Sequence, residues 1–581
     1  MKTVHSSGGA QRMTHNPIAI GSDGLYHPAS EEDVIALVDY ARAEGLNIRA
    51  RGATHSVAWS IYTDPLDKTP PNRTLEQTPP PTGINIAFDK MRALEWISEE
   101  DGIIEAEPGI NLGHDPLEPF GVSTLENSLL YQIFEKGWAI DTLGGITHQT
   151  LAGFGATGSA GGSTQHSWDN TIAYRIVDGT GKAEWIDRDH PHWPAVGTSM
   201  GLIGLVTRVR MKLVPMYNIE GSEVTTPLSG PDAKMQFLDG GPDGLGEYFK
   251  KTEYSRVVWW PQKGVERIQT WEARRVPFDK GDPDKKYNGQ HPYLQFPPNY
   301  AGQTEMLLGA LVFTLFGNTN PIRIIGIMWR KACAYLDCLG RVLRDHGKGG
   351  IGDFFTFFKG VLTAVGVFLI GSLAGFFTGL VRMAFPKLLP AFNPMTDAKH
   401  PPTEFNDWYW RSLCMDNTVS DDLLGTEFTE VWVPIGRTEQ VIDLYKQMFD
   451  EGGYHSTGYF STEVYAGAPT DQWMHPGFSD GADEYAEGTL RVDVYWYREN
   501  EGIPNCDEAF LDQFWEKLYD AKIPFRLHWG KFVPRYDFER WAKHYRDNLP
   551  HFEQFMDVRK ERDPDGVFFT DYWQRRLTGQ G

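Results

Sequence analysis

Residues 360–381, GVLTAVGVFLIGSLAGFFTGLV, run for 22 positions without a charge. Nothing else in the chain limits its fold so strongly, because such side chains must leave water for a bilayer, a core or a partner. The run belongs to a longer apolar block, 305–392, in which the basic stretch Arg323–Lys348 separates Met306–Ile322 from Gly360–Val381. Five glycines (Gly360, Gly366, Gly371, Gly375 and Gly379), with Ser372 beside them, allow close helix packing. Lys359, Arg382, Phe354, Phe355, Phe357 and Phe358 have the character of interfacial anchors. Three placements satisfy this pattern: a helical hairpin dipping into a membrane, a greasy lid over an active site, or a helix pair buried within the protein or between copies.

The rest of the 581 residues reads as soluble and folded. With 41% apolar and 13% aromatic residues the chain can bury more than one core, so several packed units are expected. The balance of 55 Lys+Arg against 77 Asp+Glu, net −22, repels phosphate backbones and excludes nucleic acid as the expected partner. Cys333, Cys338, Cys414 and Cys506 form no CxxC pair, so neither a disulfide framework nor a thiolate metal site is expected. The first twenty residues lack the apolar core of a secretory signal, which predicts a cytoplasmic address, with membrane association through 305–392 as the open exception.

Along the chain, PASEEDVIALVDYARAEGL (28–46) reads as a helix capped by Ser30, with Asp33 at its third position. Val34, Leu37, Val38 and Ala41 form its apolar stripe, and Gly45 ends it. A short strand, Asn47–Arg51, runs into the small-residue turn Gly52-Ala53-Thr54-His55-Ser56, which suits an anionic ligand. Residues 84–114 have hairpin grammar, and IAYRIVDGTGKAEWI (172–186) is a second hairpin turning at Asp178–Gly181. Between them, residues 137–163 carry eight glycines and no helical or strand period, the character of a loop that wraps a ligand. A boundary is expected near Asn218. Beyond it, 250–275 and 425–500 read as a large antiparallel sheet, 276–300 and 393–406 as loops, and Asp507–Ala521 and Phe538–Leu549 as helices.

Three separated motifs carry the chemistry. They are RARGATHS (49–56), the glycine-rich LGGITHQTLAGFGATGS (143–159), and HWGK (528–531), with GLIGLVT (201–207) supporting the second. In this order they resemble the vanillyl-alcohol-oxidase/PCMH superfamily of FAD oxidoreductases, closest to the aldonolactone and alditol oxidases. The resemblance implies an α+β fold. A PCMH-type two-subdomain FAD-binding region spans 1–218, and an antiparallel-sheet substrate domain spans 219–505 with a helical hydrophobic insertion at about 276–400. A segment 506–581 returns to the flavin. It implies FAD held by Ala50, Arg51, Gly52, Ala53, Thr54, His55 and Ser56, with His55 joined covalently to the ring. It also implies contacts from Gly144, Gly145, Thr150, Gly153, Thr157, Gly158, Ser159, Ala160, Gly201, Gly204 and Val206. Ala160 stands where relatives carry a histidine, and no cysteine between His55 and Asn218 offers a second attachment. Gly144 leaves room for O2.

On the substrate side, the resemblance places Lys531 and His528 beside the flavin. Relatives carry Glu-x-Arg on a facing strand; here Glu463 is kept and Tyr465 replaces the arginine. Period-two alternation puts Glu463 with Tyr465, and Arg491 with Asp493, Tyr495 and Tyr497, on common faces. The implied activity is oxidation of a CH–OH group of a sugar lactone, polyol or other alcohol, with hydride passing to flavin N5 and O2 reduced to H2O2. The alternatives are a membrane-associated dehydrogenase or oxidase of an apolar, sterol- or lipid-type alcohol, and a non-catalytic flavoprotein. The number of subunits is left open.

Overall fold

The computed structural model describes residues 18–63, 83–115, 118–279, 300–346, 350–380, 383–384, 390, 393–414, 423–452, 461–500 and 510–580. Cys506, Arg382 and most of the 276–300 loop lie outside these residues. Helix α1 (Glu31–Glu44) forms as its sequence dictates: Ser30 accepts the Asp33 N–H, Gly45 closes the end at φ 66°, and Val34, Leu37, Val38 and Ala41 are buried. It feeds β1 (Ile48–Arg51), which pairs in parallel with β2 (Ile84–Ala87). The hairpin expected across 84–114 is formed by β3 (Leu94–Ser98) and β4 (Ile103–Ala106) alone. The glycine-rich segment is not entirely loop, since it contains a short helix, α2 (Leu151–Ala156). Burial of Leu151 and Phe154 sustains that turn where glycine propensity alone would not. Strands β5 (Thr171–Asp178), β6 (Ala183–Asp187) and β7 (Gly204–Lys212) complete a five-stranded sheet in the order β3-β4-β7-β5-β6.

The second sheet starts at β8 (Tyr217–Pro227) and takes in β9 (Tyr254–Trp260) and β10 (Arg267–Pro277). Three helices follow: α3 (Tyr300–Gly317), α4 (Pro321–His346) and α5 (Ile351–Gly375). The chain then returns as β11 (Thr403–Trp408), β12 (Thr426–Pro434), β13 (Thr462–Gly467), β14 (Thr489–Tyr497) and β15 (Arg526–Leu527). The order is β11-β8-β10-β9-β13-β14-β12-β15, antiparallel throughout. One apolar core joins both sheets.

Among the described residues the apolar block is therefore three helices and not a hairpin, because residues 323–346 of the basic stretch are themselves helical. Its own core includes Leu307, Leu311, Met328, Leu339 and Ala364. A Cβ on Gly360 would collide with Leu339, and one on Gly371 would come within 2.8 Å of Met328 and 2.9 Å of Leu311. Close packing thus explains one face of α5; the opposite face is exposed.

Candidate active site

Two clefts, of about 1480 and 1660 Å³ and open to solvent, meet at His55, Gln149, Ser159, His528 and Lys531. The first is walled by the turn after β1 and by α2. Ala50, Arg51, Gly52, Ala53, Thr54, His55, Ser56, Thr150, Gly153, Thr157, Ser159, Gly201, Gly204 and Val206 all line it. Gly144, Gly145 and Ala160 line the second cleft instead, and Gly158 a third, smaller one. At Gly158 the φ is 76° and a Cβ would press on Pro476 and His475, so this glycine admits the larger sheet's loop.

The turn is built for backbone approach. A Cβ on Gly52 would collide with the Thr150 hydroxyl, so the glycine lets the Thr150 side chain of the wrapping loop lie against the main chain of the turn. Thr54 adopts φ 59°, unusual for a β-branched residue, and its buried Oγ1 has no hydrogen-bond partner. Beneath it, Arg49 donates to the carbonyls of Ser60, Met200 and Phe568, and burial pulls its pKa down to about 10. Sequence reasoning passed over Arg49, although two arginines alternating with apolar residues in a four-residue strand were a visible signal.

HWGK arrives from the far end of the chain. The Val57 N–H donates to the Gly530 carbonyl at 2.9 Å. The Trp529 indole donates to Met474 O at 2.7 Å and anchors the segment. His528 accepts the Gly530 N–H at Nδ1 (3.1 Å) and places Nε2 3.4 Å from Ser159 Oγ. Burial pushes its pKa down to about 4, so it is neutral. With Nδ1 accepting, the hydrogen resides on Nε2. The Lys531 ammonium lies 3.9 Å over the Phe428 ring, whose other neighbour is the Tyr495 ring at 4.9 Å.

The second cleft is floored by the eight-stranded sheet, and its register is the central feature. Glu463 on β13 is opposite Asp493 on β14, which is opposite Glu430 on β12. Three carboxylates therefore share one rung, Glu430 and Asp493 buried and Glu463 partly buried. The adjacent rung carries Arg256, Tyr465, Arg491 and Trp432. Arg491 Nη2 bonds Glu430 at 2.8 Å, and Nη1 donates to the Ala160 and Gly161 carbonyls at 2.9 and 3.1 Å, tying the wrapping loop to the sheet. Glu463 Oε2 accepts from Tyr495 at 2.6 Å and from Tyr465.

The charges sort by position. Burial, then the Glu430 charge, raises Asp493 well above the ordinary carboxylate range. Burial also raises Glu463. Burial opposes ionisation of Glu430 too, but the Arg491 and Lys531 cations hold it low. Asp493 Oδ1 is buried without a hydrogen-bond partner. All six expected catalytic residues, Lys531, Glu463, Tyr465, Asp493, Tyr495 and His528, line this cleft. Tyr497, on the same face, instead bonds Thr314 of α3 at 3.0 Å. Among the described residues, none of 300–380 lines the cleft. Glu430 and Arg256 were missed; each is a charge inside an apolar strand, TEFTEVWVP and YSRVVWW.

The fold is that of a solved cholesterol oxidase. Over 95% of this chain and 93% of the other, it superposes on cholesterol oxidase from B. sterolicum with a TM-score of 0.58 at 13% identity. Residues 429–576, which supply the acid rung's β12 and β14 and HWGK, match the family model described as D-arabinono-1,4-lactone oxidase. The chain is 22% identical over 272 residues to D-arabinono-1,4-lactone oxidase of Saccharomyces cerevisiae, covering 45% of this chain and 43% of the relative. It is 22% identical to L-gulonolactone oxidase of Mus musculus (41% and 45%) and 26% identical to a long-chain alcohol oxidase of an uncultured marine euryarchaeote (36% and 38%). The matches thus span less than half the length of these relatives. The first cleft fits FAD: the turn and loop meet at backbone distance, and the orphaned Thr54 hydroxyl awaits a polar ligand.

Proposed function

We propose that the chain is an FAD-dependent oxidase of a CH–OH group in a sugar lactone or polyol, with O2 as acceptor and H2O2 as product. The observation that carries this reading is the meeting of the two clefts at His55, Gln149, Ser159, His528 and Lys531, with the acid rung on the far side. The lactone-oxidase relatives support the substrate class. Held in the first cleft, FAD would supply a two-electron acceptor that takes hydride from the substrate carbon and passes the electrons to O2. In this reading residues 1–218 form the flavin half, and His55, which faces both clefts, is the covalent attachment point.

Asp493 accepts the substrate's hydroxyl proton. Glu430 is engaged by Arg491 and Glu463 by two phenols, whereas Asp493 Oδ1 has no hydrogen-bond partner, and burial brings its pKa toward the working pH. Neutral His528 donates Nε2–H to a substrate oxygen, and the Lys531 and Arg256 cations bind oxygen atoms of the polar substrate. Gly144 lines the second cleft, but a Cβ there would meet the buried Phe154 ring at 3.0 Å, so the room expected for O2 at this position is taken up by that ring.

The test is anaerobic mixing of the purified holoprotein with aldono-1,4-lactones and alditols. Bleaching of the flavin band, followed by H2O2 on admission of air, is expected. Absence of bleaching with every lactone and alditol sinks the activity, and yellow flavin left in the supernatant after acid precipitation sinks attachment at His55.

A further inference from the structure

The outer face of α5 carries Phe355, Phe358, Leu362, Val365, Leu369 and Leu373, each between 48% and 68% exposed. Their spacing of three and four keeps them in one straight stripe along the helix. The opposite face carries Gly360, Gly371 and Gly375, packed on Leu339, Met328 and Ile324 of α4. A stripe of this length far exceeds the scattered apolar exposure of an ordinary monomer.

Two observations identify what covers it. The Thr356 and Thr363 hydroxyls each donate to a carbonyl of their own helix at 3.0 Å, from Gly352 and Lys359. These two side chains thus keep their hydrogen bonds inside the helix, as hydrocarbon requires, whereas a protein interface forms about one hydrogen bond per 100–200 Å². Charge gives the second. Residues 300–392 hold nine Lys/Arg against four Asp/Glu, net +5, in a chain whose total is −22. The apolar insertion is thus the cationic part of an acidic protein, complementary to anionic phospholipid headgroups.

The packing also fixes the orientation. Helix α4 lies along α5, and its Arg330 and Lys331 reach Glu499, just after β14, at 2.9 and 3.5 Å. A spanning α5 would drag these charges into hydrocarbon at a cost of several kcal/mol. We infer that α5 lies in the plane of an anionic lipid surface, with its Phe/Leu stripe among the upper acyl chains and α4 between it and the catalytic sheet. This docking is independent of the reaction proposed above.

Flotation of the purified full-length holoprotein with vesicles tests it. Most of the protein should float with phosphatidylcholine/phosphatidylglycerol vesicles and less with phosphatidylcholine alone. The Phe355→Ser/Phe358→Ser/Leu362→Ser/Leu369→Ser variant should stay at the bottom with an unchanged melting temperature. Ile351→Cys and Gly379→Cys, each in a Cys333→Ser background, should both react with a membrane-impermeant maleimide added outside. Failure of the native protein to float overturns the proposal, as does protection of one end only, the mark of a spanning helix. A lipid-free dimer that the fourfold variant turns back into a monomer overturns it too, by making the stripe a subunit interface.

Discussion

The sheet floor of the second cleft holds three carboxylates and two guanidiniums, all buried but the half-buried Glu463, whereas α5 holds phenylalanine and leucine out in water. Each region inverts the ordinary partition of side chains, and each is kept that way by its support. The acids are tolerated because Arg491, Lys531 and two phenols face them. The apolar stripe is displayed because glycines on the other side of the helix let α4 approach. The difference lies in what completes each region. The rung is satisfied from within except at Asp493 Oδ1, while among the described residues nothing covers the stripe along its length.

The largest expected effect falls on the one atom where the rung is incomplete. Asp493→Asn should lower kcat by about 10²–10⁴-fold with flavin content unchanged, measured as H2O2 release against absorbance. It should also remove the rise of kcat with pH that accompanies deprotonation of Asp493; a native-like rate or an intact limb would assign the proton to another group.

Next comes the support itself. Arg491→Met strands Glu430 and two loop carbonyls, and should cost about 3–5 kcal/mol in denaturant unfolding. Adding Glu430→Gln should recover part of that loss, because it removes the unpaired buried charge.

A third test uses pH. Burial depresses His528 to about 4 and His475 to about 3. Below the unfolded value of about 6.5 the unfolded chain binds protons that the folded chain refuses, so stability falls as pH drops from 6.5 toward 4. His528 alone should account for about 3 kcal/mol of that fall, seen as a steep loss of melting temperature. A flat profile would mean that the imidazoles are charged in the fold.

The smallest effect concerns the helix support. Gly371→Val presses on Met328 and Leu311 and should cost about 1–3 kcal/mol, confined to the three-helix unit and readable by hydrogen exchange in α4 and α5. Protection lost across the large sheet would show that the two regions are not separable.

Much of the cofactor side was legible because it is local: a turn and a loop declare their chemistry within a few residues. RARGATHS and the 149–157 part of the loop do line one cleft, while 143–146 line the other, and the capped helix and hairpin stand where the sequence pattern puts them. The acid rung was half legible. Alternation placed Glu463 and Asp493 on faces, but their alignment with Glu430 follows from the strand order β13-β14-β12, which is not sequential. The exchange of Glu-x-Arg for Glu-x-Tyr looked like a lost guanidinium. In the sheet, Arg256 and Arg491 flank Tyr465 from the neighbouring strands. Helix α2 and the helical basic stretch escaped because tertiary packing overrides glycine and charge content.

The hydrogen bond from Val57 to Gly530 has a consequence in time. The turn around His55 is braced by Gly530, Val567, Phe568 and Trp573, some five hundred residues downstream. A nascent chain emerging from the ribosome therefore carries an unfinished first cleft until residue 573 has been synthesised. A nonsense mutation anywhere before residue 526 would yield a chain without the His528, Lys531 and Trp573 wall of that cleft.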